Sequence, residues 1–341
     1  MEDKDSWTIR EYREGDEHGI LKLFNLVFAI GNPDFVPRSL RHWRWQFAEN
    51  PEGHHTFVAD QDGEIIGTYT GIPCRWRFPE GVGLGAQAVD TVVHPDFRRS
   101  LKRTGLFLTL AYHWFDHFAR PDRDRIVYGF PNPQAFRIGT TKVDYRPVHC
   151  PVPELSCPID QARSWEAQAR ARGIEVGEVL EFGTEAGELD RELAPFLGIS
   201  SVRDARYLNW RFARHPSTRY RLLRAEGPGG NLKGFLVHAL SWNGDRKNIV
   251  PLVDWLVRPG DPWTFRALIG NAASCAQRHG GLDLLLTWAP PNHRHFADLQ
   301  ELGFVRTDSR FNLCIRIFTP TFDVPYAVSN WYVNMGDSDI F

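Results

Sequence analysis

Val89-Asp90-Thr91-Val92-Val93-His94-Pro95 reads as one apolar strand that ends on an exposed turn, and it occurs twice. Its second form, Val253-Asp254-Trp255-Leu256-Val257-Arg258-Pro259, follows at an offset of 164. Upstream, Trp45-Gln46-Phe47-Ala48-Glu49-Asn50-Pro51 recurs as Trp210-Arg211-Phe212-Ala213-Arg214-His215-Pro216, at an offset of 165. Downstream, Pro131-Asn132 with Phe136 is echoed by Pro291-Asn292 with Phe296, at an offset of 160. Three landmarks in one order at nearly constant spacing make the chain two copies of one fold. Solenoid repeats run about 20–50 residues, so a period this long means tandem domains. The expected cut gives domains at 7–183 and 184–341.

The 341 residues suit two such copies, each large enough to bury a core. The formal charge of −2 gives no bulk attraction to nucleic acid or to an anionic membrane, so any basic site is local. The start, Met1-Glu2-Asp3-Lys4-Asp5-Ser6, lacks a cationic, then apolar, leader. No apolar run reaches the roughly 18 residues of a membrane span. Cys74, Cys150, Cys157, Cys275 and Cys314 are odd in number and show no metal-type pairing. They predict reduced thiols and a cytoplasmic protein, with Cys150–Cys157 the one disulfide to consider and no metal site. The oligomeric state is not legible.

In the first copy, Trp7 to Tyr12 alternates as a strand, and a helix runs through Leu21, Phe24 and Phe28. Ser39 caps a short helix through Trp43 and Phe47. Thr56–Asp60 and Ile65–Ile72 form a hairpin about Asp62-Gly63. The strand Ala86–Val93, a helix Leu108–Phe118, a strand Arg125–Phe130, a short helix and a strand near Val143–Arg146 follow. Val176–Phe182 would complete this first sheet. Hairpins followed by a β-helix-β unit predict an α+β fold with mixed, mostly antiparallel sheets flanked by helices.

The chemistry concentrates where the strand hands over to the helix. Arg98, Arg99, Lys102, Arg103, Thr104 and Gly105 stand directly before Leu106. A helix N-terminus offers unpaired N–H groups and partial positive charge, which suit a pyrophosphate. Taken alone, four cations before a helix read more simply as a solvated basic turn.

The order of elements, Val-Asp-x-Val-Val-x-Pro and the basic glycine-containing loop together resemble the GNAT superfamily of N-acetyltransferases, in its tandem form. The resemblance implies two GNAT-like domains and an acyl-CoA-dependent N-acyltransferase. Acetyl-CoA would be the co-substrate, and a small-molecule or sugar amine the acceptor. It places the pantetheine arm along Val92 and Val93, and the pyrophosphate at Arg98 to Leu106. Asn132 and Phe136 fall on the family's second landmark. Gly105 lies ten residues after Pro95, so the loop is longer than the family's by about four. The family tyrosine that protonates the leaving thiolate falls on Gly139.

The second copy has Gly260-Asp261-Pro262 where the first has cations, and Asp261 would repel a phosphate. One CoA per chain, in the first copy, is therefore expected. Asp90 and His94 are the base candidates near the strand. The plain readings are a surface histidine and an aspartate with a structural role shared with Asp254. The aromatic, acidic tail from Trp331 to Phe341 is expected to close over the first copy, where the terminal carboxylate of Phe341 would act as base. Two other readings stay open: a Fem-type aminoacyl transferase, and a non-catalytic binding protein that keeps the fold.

Overall fold

The computed structural model describes residues 7–98, 105–162, 164–241, 248–307 and 309–341. Its early strands are β1 (Thr8–Glu11), β2 (His55–Gln61), β3 (Glu64–Phe78), β4 (Gly81–Val93), β5 (Asp124–Gly129) and β6 (Arg146–His149). Next come β7 (Glu154–Pro158), β8 (Glu175–Val179), β9 (Ser200–Ser201), β10 (Tyr220–Glu226) and β11 (Leu232–Ala239). The series ends with β12 (Ile249–Val257), β13 (Leu284–Trp288), β14 (Val305–Thr307) and β15 (Leu313–Ile317). They form two mixed sheets flanked by helices, the α+β class that the repeat predicts. One sheet runs β1-β2-β3-β4-β5-β15-β6, with β9 paired to the far end of β3. The other runs β14-β7-β13-β12-β11-β10-β8.

These orders contain a reciprocal exchange. β15 lies between β5 and β6 in one sheet, and β7 lies between β13 and β14 in the other. Each copy gives its last strand to the sheet of its twin. The compact units are accordingly discontinuous: 1–75, 83–147 and 314–321 form one, and 76–82, 148–313 and 322–341 the other. A linear cut at 183/184 does not describe them. β8, expected in the first sheet, pairs instead with β10 through Leu222↔Val179 to Glu226↔Glu175. Local pattern identified that strand, but its partner depends on ladder contacts distant in sequence. No disulfide forms among the described residues.

The repeated Trp-x-Phe-Ala motif has the same backbone in both copies. The short helix Leu40–Trp43 opens into a π-helical turn, Arg44–Ala48, and Ala205–Leu208 opens into Asn209–Ala213. Each closes with an i+5 hydrogen bond, Glu49 N to Arg44 O at 2.8 Å and Arg214 N to Asn209 O at 2.9 Å. The caps match too: Ser39 accepts from His42 N, and Asp204 from Tyr207 N. A π-turn recurring at one position of a repeat belongs to the fold.

In the first unit, the helix Leu106–Phe118 lies on β3 through Leu106, Leu110 and Trp114, spaced one helical turn apart. It can approach because β3 presents Gly67 and Gly71. A Cβ on Gly67 would stand 2.8 Å from Leu110, and one on Gly71 2.5 Å from Trp114. Trp114 is fully buried and gives its indole N–H to His55 O at 2.9 Å. Phe115, Phe118, Tyr69 and Tyr145 complete this core. The packing fixes where the helix N-terminus points.

Candidate active site

β4 and β5 are parallel and pair from Leu84↔Asp124 to Gln87↔Tyr128. There the ladder stops, while β4 runs on to Val93. Past Gln87, β4 therefore presents main-chain groups on its β5 side. The second copy has the same break: β12 pairs with β13 from Ile249↔Leu284 to Pro251↔Leu286 and then continues to Val257. Gln87 and Pro251 are one repeat apart.

The copies differ in what stands at that break. On β12, Thr287 Oγ1 donates to Leu252 O at 3.1 Å, and His295 Nε2 meets Val257 O at 2.9 Å. Trp255 O accepts from Tyr332 OH at 3.1 Å and from Asn334 Nδ2 at 3.2 Å. The second copy fills its own edge with side chains. On β4, Val93 O accepts Arg98 Nε at 3.1 Å, so this cation is held at the open end of the strand.

The helix N-termini differ in the same sense. Pro262–His279 starts at Asp261, whose carboxylate accepts from Thr264 N at 3.0 Å and Thr264 Oγ1 at 2.8 Å. Leu106–Phe118 starts at Gly105, with no side-chain cap. A Cβ at Gly105 would meet nothing within 4 Å. One terminus caps itself with a carboxylate, and the other has no side-chain cap among the described residues.

The sequence-derived residues separate accordingly. Val92 and Val93 have buried side chains, so only their main chain can serve a ligand. Leu106 is buried against Gly67. Arg99, Lys102, Arg103 and Thr104 lie outside the described residues. Asn132 caps the helix Pro133–Lys142, accepting from Ala135 N at 2.9 Å. Phe136 packs against the core. Asp90, at φ 48° in the left-handed region, kinks β4 and forms an ion pair with Arg38. The Arg38 guanidinium in turn lies 3.7 Å over the Phe24 ring.

Two expectations need correction. His94 Nδ1 accepts from Asp96 N at 3.3 Å and caps a 3-10 turn. In the neutral ring the proton then sits on Nε2, so His94 offers a donor there, and acting as a base would cost the cap. Phe341 belongs to the second unit, where its main-chain oxygen accepts Arg211 Nη2 at 2.6 Å. Its ring packs edge-on to Trp288 at 5.2 Å. The tail docks on apolar surface of its own unit, so Phe341 is an anchor and not a base.

Sequence reasoning missed the partner of Asp90. Arg38 directly precedes the cap Ser39, as Arg203 precedes the cap Asp204, and Arg203 Nε bonds Asp254 Oδ1 at 2.7 Å. The Arg-to-Asp pairing is a fourth echo of the repeat, at offset 165 on the arginine and 164 on the aspartate. Its signal was one basic residue before each cap, set in sequence that otherwise differs. Gly139 does stand where the family has tyrosine, and the ring of Tyr145 lies 3.5 Å from a Cβ placed there. Tyr145 OH and Tyr69 OH are 3.2 Å apart in the core. Burial raises both phenols, Tyr69 to about 12 and Tyr145 well above its ordinary value.

Residues 8–139 match the family described as acetyltransferase (GNAT) domain. The chain is a tandem GNAT-fold protein. A GCN5-related N-acetyltransferase from Anabaena variabilis superposes with a TM-score of 0.65 at 13% identity, over 92% of this chain and 73% of that one. A tandem GNAT protein from the clavulanic acid biosynthesis pathway gives 0.54 at 15%, over 93% and 100%. N-myristoyltransferase of Saccharomyces cerevisiae, with bound myristoyl-CoA, gives 0.53 at 12%, over 91% and 82%. No curated protein matches the chain. The GNAT fold supports acyl-CoA-dependent acyl transfer, and among the described residues no helix is long and apolar enough to cross a membrane.

Proposed function

We propose that this tandem GNAT protein transfers an acyl group, acetyl first among them, from CoA to the amine of a small molecule. The observation that carries this reading is the asymmetry between the copies. The first keeps an open strand edge beside an uncapped helix N-terminus, and the second fills and caps the same places. One acyl-CoA binds per chain. Its pantetheine amides pair with the main chain of β4 around Val92 and Val93, and its pyrophosphate lies before Leu106, near Arg98 and the basic loop. That orients the thioester for attack, and well-aligned reactants can take about 7–11 kcal/mol off a barrier.

The acceptor amine must be neutral to attack the thioester carbon. Asp90 lies on the kinked part of β4 and is the carboxylate best placed to hold the ammonium and take its proton. The N–C bond forms, the nitrogen of the tetrahedral adduct gives its second proton to solvent, the C–S bond breaks, and CoA leaves with the electron pair. With a thiol pKa of about 8.5, the thiolate is a tolerable leaving group near neutral pH, so Gly139 in the tyrosine position is no obstacle. Tyr69 and Tyr145, both raised, keep their protons. Calorimetric titration with acetyl-CoA and longer acyl-CoAs tests the reading, with one site per chain expected. No binding, or two equivalent sites, would overturn it. Release of CoA thiol with an amine panel then tests transfer.

A further inference from the structure

The second copy shows what an Arg–Asp pair at this place in the fold binds. Arg203 is fully buried, and its Nη2 donates to both carboxylate oxygens of Asp337, at 3.2 and 3.1 Å. Ser201 Oγ donates to the same carboxylate at 2.6 Å. Asp254 Oδ1 accepts from Asn334 Nδ2 at 2.8 Å and also from Trp255 N at 2.8 Å. The turn 334–337 therefore lays a carboxylate on the guanidinium and an N–H donor on the aspartate. Gly336 makes this fit possible: a Cβ there would stand 3.0 Å from Asp254 and 2.9 Å from Phe212. Segment 334–337 acts as a ligand built into the chain.

The first copy has the same pair in a different state. Arg38 and Asp90 keep 16% and 5% of their side-chain surface exposed, against 0% for both Arg203 and Asp254. Val36, one repeat before Ser201 in sequence, is 83% exposed and carries no hydroxyl. Arg38 thus keeps solvent access at the pair.

We infer that Arg38 and Asp90 recognise an acceptor carrying both a carboxylate and an amino group, that is, an amino acid or a molecule ending in one. The inference rests on the acyltransferase reading and names its substrate class. Arg38 meets Asp90 through Nη1 where Arg203 meets Asp254 through Nε, so the carboxylate takes the guanidinium edge turned away from Asp90. The amino group takes Asp90, as Asn334 takes Asp254, and a carboxylate has acceptor sites enough for a further donor. Transfer then forms the N–C bond at that amino group and breaks the C–S bond of the thioester. CoA leaves as thiolate. Of the two protons the ammonium gives up, the first passes to Asp90 and on to solvent, and the second leaves the nitrogen of the tetrahedral adduct for solvent as the C–S bond breaks. Without a counterpart of Ser201, the guanidinium alone fixes the carboxylate, so Arg38 sets specificity.

The test uses the wild-type protein with acetyl-CoA and matched acceptors: free amino acids, their C-terminal amides and the corresponding decarboxylated amines. Loss of the carboxylate should lower kcat/KM by about tenfold to a hundredfold, the worth of one charged hydrogen bond. Arg38→Met should abolish that preference while leaving acetyl-CoA affinity, measured by calorimetry, unchanged. Should that variant fail to fold, the acceptor series alone decides. Transfer to amines with no preference for a carboxylate would overturn the inference and leave the acyltransferase reading standing. Failure to bind any acyl-CoA would overturn that reading, and the inference with it.

Discussion

The two copies share a strand break, a π-turn and an Arg–Asp pair, yet one is open and the other closed. β12 has its carbonyls taken by Tyr332, Asn334 and His295, and its following helix is capped by Asp261. β4 ends beside Arg98, and the helix that follows starts at Gly105 with no side-chain cap among the described residues. The fold creates the same unsatisfied main-chain groups in both places, because a parallel ladder that stops early leaves a strand edge and a helix start without partners. A copy can satisfy them internally, which stabilises it, or leave them for a ligand.

The largest effect separates the two ion pairs. Arg203→Ala strands Asp254 and Asp337 in a dry interior and should cost about 3–5 kcal/mol. Arg38→Ala removes a partly solvated partner and should cost about 1–2 kcal/mol. Urea unfolding of both variants checks this, and equal losses would break the comparison.

Acid should also act unequally. In the second unit, burial pushes His238 down to about 3 and His149 to about 4, and holds His293 well below its ordinary value. The first unit has His54, pushed down to about 4 by burial and its neighbour His55. Unfolded, each ring titrates near 6.5, so below that pH the unfolded chain binds more protons and stability falls as pH drops. At pH 5 each such histidine should cost about 2 kcal/mol, fully developed only as pH approaches the folded value. Asp254, raised chiefly by burial, opposes this as pH falls from its raised folded value to the ordinary aspartate value of about 3.9. Hydrogen exchange at pH 7 and pH 5, corrected for intrinsic rates, should show protection lost more in 148–313 than in 7–75.

The smallest effect makes the first copy resemble the second. Gly105 is extended, at φ −69° and ψ 160°, a backbone that aspartate adopts freely. Gly105→Asp should add a few tenths of a kcal/mol through its cap and weaken acyl-CoA about tenfold by charge. Unchanged affinity in calorimetry would place the phosphates elsewhere.

Much of this was readable in the chain. The Trp45 and Trp210 motifs marked equivalent short helices, the Val89 and Val253 motifs found equivalent strands, and Gly260-Asp261-Pro262 marked a helix start that carries a carboxylate in place of cations. Each signal is local, carried by neighbours along one element. The misreadings involved contacts that only the folded backbone fixes. His94 looked like a base until Asp96 N, two residues on, claimed its Nδ1. Phe341 looked like a reacting group until Arg211 held it in the second unit. Arg38 carried only its place before a cap, because its meaning lies in Asp90, fifty-two residues away.

The sequence by itself determined that one α+β fold occurs twice, and that a cation-rich loop precedes the helix in the first copy where Gly260-Asp261-Pro262 stands in the second. Those facts follow from periodicity, turn chemistry and local charge. Only the tertiary structure decided that β7 and β15 change places, that segment 334–337 fills the second copy, and that Asp90 is paired to Arg38. Strand partnership and the pairing of buried charges depend on which residues meet across the ladder and the core, and a repeat that is nearly symmetric leaves each partner two places to go.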